Sequence, residues 1–126
     1  IQSHNIEIHE YSSSLEKYYK VATALIDLNA YFNDDVYLSS KIVNYLPICK
    51  PIISITGYNS PSRNIFKDDE SIVHCLHDDT EVCECLKYVT TKSFNYEKRK
   101  VYIDIFSPKK IVQEFSEVID NVLSDI

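Results

Sequence analysis

The sequence predicts an α/β fold, a Rossmann-like parallel sheet with helices on both faces. Three observations predict it. Short apolar runs recur at residues 24–28, 51–55 and 71–76, separated by segments with helical periodicity. Residues 51–55 (P-I-I-S-I) are β-branched with little polar alternation, the mark of a strand buried on both faces. Residues 5–9 (N-I-E-I-H) alternate with period two and add a fourth strand. Strands alternating with helices imply βαβ units and a covered parallel sheet.

Each element has its own signal. Ser12, Ser13 and Ser14 form a cap cluster, and Ser13 with Glu16 makes a capping box. Leu15, Tyr18, Tyr19 and Ala22 then share one helical face. Residues 24–28 (A-L-I-D-L) read as the second strand, and 29–38 as an acidic loop with Asn33, Asp34 and Asp35. The second helix covers about 40–47, with Cys49 where a glycine often ends a helix. After the strand at 51–55, Ser60 caps a short helix that opens on Pro61 and turns Ile65 and Phe66 inward. The strand at 71–76 leads to Asp78, Asp79 and Thr80, which cap a helix whose apolar face holds Val82, Leu86 and Val89.

Residues 95–106 carry both an alternating and a helical pattern. The stripe of Val101, Tyr102, Ile105 and Phe106 favours helix. The last helix is capped by Ser107 and opened by Pro108. Its stripe of Ile111, Val112, Phe115, Val118, Ile119, Val122 and Leu123 is expected to be core. The tyrosines at 11, 18, 19, 31, 37 and 45 are expected to pack in the core and at its edges.

Composition excludes several classes. The chain has 126 residues, 44% apolar and 25% charged, which suits one globular domain over 1–126. A net charge of −6 argues against a nucleic-acid partner and provides no polybasic lipid patch. No apolar run reaches the roughly 18–20 residues of a membrane span, and no signal peptide is visible. Cys49, Cys75, Cys83 and Cys85 fit no secreted disulfide framework, and are expected to be buried free thiols of a reducing, cytoplasmic compartment. His74, Cys75 and His77 invite a metal. On a strand, however, residues three apart face opposite sides, so no metal is expected. A single glycine, Gly57, rules out a Gly-rich phosphate loop. The absence of methionine suggests a piece of a longer protein.

The functional signal lies between residues 37 and 60. Ser39, Ser40 and Lys41 sit at a helix start beyond a strand's carboxyl end, where unpaired amides and a positive dipole end favour anions. A cation there is mildly unfavourable without an anionic partner. The tract S-S-K-I-V-N-Y-L-P-I-C-K-P-I-I-S-I at 39–55 resembles the carboxyl-terminal half of GT-B glycosyltransferases, close to family 4. A-L-I-D-L-N, D-D-T-E-V-C-E-C-L and F-S-P-K-K-I-V-Q-E-F are similar to flanking segments, so the likeness spans nearly the whole chain.

That resemblance implies a partial GT-B carboxyl-terminal domain that binds a nucleotide-sugar donor without a metal or other cofactor. Ser40 and Lys41 would contact the diphosphate, with Ser39 beside them. Asn44 would take the place of an acidic residue that grips ribose. Asn59 and Ser60 would lie near the nucleotide. The acceptor would bind an amino-terminal domain outside this chain, through which any peripheral membrane association would run. Alone the fragment would be inactive. The family's paired glutamates fall here on Val36 and Asn44, and Cys49 replaces a glycine, which indicates a divergent branch or lost activity. The alternatives are a catalytically dead interaction module of the same fold and a receiver-type signalling domain. The second needs an aspartate ending its third strand, and here that strand ends in Ser54-Ile55-Thr56.

Overall fold

A computed structural model describes residues 5–126. It holds three strands, β1 (Leu25–Leu28), β2 (Ile52–Ile55) and β3 (Ile72–Cys75), in one parallel sheet of order β1-β2-β3. Six helices surround it: α1 (Glu16–Val21), α2 (Ser40–Tyr45), α3 (Pro61–Ile65), α4 (Asp79–Thr91), α5 (Arg99–Ile105) and α6 (Pro108–Ser124). The α/β class and the parallel sheet follow the sequence. Residues 5–9, expected as a strand, are irregular, and Ile6 and Ile8 are exposed. Alternation makes a strand only where a neighbouring strand accepts its hydrogen bonds, and this segment is not one of the three strands of the sheet.

Register sorts the side chains into two layers. Leu25, Ile52 and Ile72 lie abreast and pack with Ile42 and Leu46 from the α2 segment and Phe66 from the end of α3. Tyr102 and Phe106 of the α5 segment close this layer, with the Tyr102 ring edge-on to Phe66. On the opposite face Ile53, Ile55 and Cys75 meet Val89, Val82 and Cys85 of α4. That second layer covers β2 and β3 but stops short of β1, where Ile26 stays 45% and Leu28 62% exposed.

Several local expectations shift. α1 begins after Leu15 with no side-chain cap, so the Ser13–Glu16 capping box does not form; the Ser12 hydroxyl bonds the Ser14 backbone instead. α2 ends at Tyr45, short of Pro47. Only Cys75 among the four free thiols is fully buried, while Cys49 and Cys83 are exposed. Burial, with Cys85 alongside, pushes the Cys75 thiol up to about 12. Tyr11, Tyr31 and Tyr37 are exposed rather than packed.

The largest correction is α6. Ser107 caps it as expected, accepting from the Lys110 amide at 3.2 Å. Yet none of its residues is buried, and its stripe is not core. At the amino ends of β2 and β3, by contrast, a buried cation knits the fold. Arg99 of α5 donates to the carbonyls of Ile48, Lys50 and Ser71 and to the Ser71 hydroxyl, with the buried Asp69 carboxylate 4.0 Å away.

Candidate functional site

The carboxyl edge of the sheet is organised by a polar row. Asp27 shares a face with Leu25, because strand side chains alternate, and its register neighbours are Ser54 and then His74. Asp27 is 1% exposed, and a carboxylate is tolerated there only with donors around it. It has three. Ser39 donates to Oδ1 at 2.7 Å, Asn29 to Oδ2 at 3.0 Å, and Ser54 to Oδ2 at 3.4 Å.

Ser39 therefore has two duties. Its oxygen also accepts from the Lys41 amide at 3.2 Å, which makes Ser39, not Ser40, the N-cap of α2. The Ser39 hydroxyl is thus engaged on both sides. Ser40 and Lys41 follow on the first turn, exposed to solvent, and among the described residues no carboxylate pairs with the Lys41 ammonium. Asn44, one turn on, lines a separate cavity of about 360 Å³ with Val43, Leu46, Pro47, Ile103 and Phe106. Neither Ser40 nor Lys41 borders that cavity.

Asn59 ties two loops. Its amide N–H donates to the Asn33 carbonyl at 2.9 Å, and its side chain donates to Asp34 Oδ1 at 2.7 Å. The loop after β1 thereby lies across the end of β2 as a strap. Gly57 explains the close approach. A Cβ at that position would sit 1.6 Å from the Phe32 carbonyl oxygen. Arg63 of α3 braces the same turn from below, donating to the Gly57 carbonyl at 3.0 Å and the Thr56 carbonyl at 3.4 Å. Ser60 caps α3 by position only. Its hydroxyl and that of Thr56 are buried and find no hydrogen-bond partner among the described residues.

His74 ends the polar row. Its Nε2 shares a 2.7 Å hydrogen bond with the Ser62 hydroxyl. Burial first, then the Arg63 charge, hold its ring down to about 4, so it is neutral near pH 7. His77 Nε2 donates to the Asn29 carbonyl at 2.5 Å, with the Tyr31 ring edge-on, and joins the third loop to the first. Sequence reasoning passed over Asp27 and Arg63, and weighed His74 only as a metal ligand. A lone aspartate inside the apolar run A-L-I-D-L was the one signal that could have found Asp27.

Chemically, the edge offers the Lys41 ammonium and the Ser40 hydroxyl, neither with a side-chain partner among the described residues, at the start of a helix whose N-cap Ser39 is held by the buried Asp27. The His74–Ser62 pair is inward and self-satisfied, so it makes no exposed nucleophile. Among the described residues no group of three or more His, Cys, Asp or Glu is placed to hold a metal ion, and no helix is long and apolar enough to cross a membrane. Strand order is sequential, so the described sheet has no reversal point at which helices diverge to form a crevice. The chain matches no protein-family model, no curated protein and no solved structure.

Proposed function

We propose that this chain is the donor-binding part of a GT-B-type glycosyltransferase, holding the diphosphate of a nucleotide-sugar at the start of α2. The observation that carries the reading is the exposed Ser40–Lys41 turn at the carboxyl edge of a parallel sheet. Its position is fixed by the Asp27–Ser39 contact. An ammonium without a carboxylate partner at the positive end of a helix is a donor set that suits a diphosphate where no metal compensates it. Charge that develops on a leaving nucleoside diphosphate would be met by the same groups, so they would lower the barrier as well as bind. In this reading a second domain carries the acceptor, the enzyme works in the cytoplasm, and the chain alone transfers nothing.

Calorimetric titration with a panel of nucleoside diphosphates and nucleotide-sugars tests the proposal. Binding that Lys41→Ala weakens supports it. A flat titration across the panel, with the chain folded by circular dichroism, rejects it. A second reading, an interaction module without catalysis, is favoured by the uncovered stripe of α6. It predicts full partner binding by the Lys41→Ala chain.

A further inference from the structure

Helix α6 presents seven large apolar side chains to solvent: Ile111, Val112, Phe115, Val118, Ile119, Val122 and Leu123, each between 42% and 66% exposed. A continuous apolar stripe of this kind marks an interaction surface. We propose that its occupant is the α6 helix of a second copy of this chain, packed antiparallel across a two-fold axis near Glu117.

The pattern of the helix argues for self-pairing. An isologous contact requires that residue i meet j while j meets i. Read outward from Glu117, Phe115 matches Ile119, Val112 matches Val122, and Ile111 matches Leu123. Gln113 matches Asn121, polar with polar. Ser116 opposite Val118 is the one mismatch between apolar and polar. At about 3.6 residues per turn Glu117 itself falls on the side away from the stripe, where Gln113 donates to it at 3.2 Å. Glu114 and Asp120 lie off the stripe as well, toward Glu117.

Charge selects the direction. Lys109 flanks the stripe at the start of the helix and Asp125 flanks it at the end, while Lys110, seven residues from Glu117, faces away with it. A parallel pair would set lysines against lysines. An antiparallel pair brings each lysine end to the acidic, carbonyl-rich end of its partner. The same register carries the partner's Ile126, 96% exposed, to Pro108. There the cavity between α2 and α5 is walled by Leu46, Pro47, Ile103 and Phe106.

Sedimentation of the 126-residue chain over roughly 1 µM to 1 mM tests the proposal. A reversible dimer is expected. Phe115→Glu should raise its dissociation constant at least about tenfold while circular dichroism stays unchanged. Ile26→Glu, at the other bare apolar patch, should leave it unaltered. Lys109→Glu should weaken the dimer, and adding Asp125→Lys should restore it. A monomer throughout, a dimer indifferent to Phe115→Glu, or a charge swap without rescue overturns the proposal; the first outcome would assign the stripe to another protein or a lipid surface.

Discussion

The Ser39 hydroxyl donates to the buried Asp27 carboxylate at 2.7 Å while accepting the Lys41 amide at 3.2 Å. One side chain thus links the sheet interior to the first turn of α2. Whatever Lys41 does at the surface, its position is set from Asp27.

Asp27→Ala should therefore cost stability well beyond a surface change. It strips the acceptor from Ser39, Asn29 and Ser54 together. Leaving buried donors unpaired costs about 1–3 kcal/mol and more for charged partners, so a loss of about 3 kcal/mol is expected in urea unfolding. A loss under about 1 kcal/mol would show that these contacts are incidental.

Ser39→Ala and Lys41→Ala should separate stability from binding. The first removes both an N-cap and a donor to the buried Asp27 carboxylate, and costs about 2–3 kcal/mol of unfolding free energy. The second alters an exposed side chain and should leave stability within about 0.5 kcal/mol. Loss of a charge-assisted contact is worth roughly 1.5–3 kcal/mol, so Lys41→Ala should weaken nucleoside diphosphate binding by about tenfold or more. Equal affinities for Lys41→Ala and the parent chain would remove the lysine from the site.

Gly57→Ala forces a methyl into the Phe32 carbonyl. Backbone cannot yield as a flexible side chain would, so the strap must lift. We expect a loss of at least about 2 kcal/mol and faster amide exchange across residues 30–35. Exchange unchanged there would mean that the strap is held by contacts other than those to Gly57 and Asn59.

His74 predicts a pH dependence. Its folded value lies at about 4, below the ordinary 6.5, so the folded chain resists protonation. Above about pH 6.5 both states are neutral and the stability is complete. As pH falls toward 4 the unfolded chain takes up a proton that the folded chain refuses, and stability drops by on the order of 3 kcal/mol. Chemical unfolding between pH 7 and 4.5 should show this slope, and His74→Gln should flatten it.

How much of this was legible depended on whether a signal was local. β2 was legible because residues 52–55 are buried on both faces and read as a β-branched run interrupted only by Ser54. Capping of α4 by Asp78, which accepts the Glu81 amide at 3.0 Å, was equally local. α6 was legible as a helix, yet amphipathicity tells that one side wants cover, not what supplies it. Residues 5–9 failed for the converse reason, since alternation needs a partner strand. Ser39 and Ser40 are adjacent and chemically alike, so only Asp27 decides which one caps. Arg99 carries no local mark of burial in the sequence. Its burial rests on carbonyls of Ile48 and Lys50, far away along the chain.

The half-bare sheet has a colloidal consequence. β1 is an edge strand whose outer side chains, Ile26 and Leu28, meet water, so a wide greasy flank adjoins a strand edge to which no further strand pairs among the described residues. At low ionic strength the −6 charge holds molecules apart. Added salt screens that repulsion, and the chain should grow turbid sooner than its composition alone would suggest.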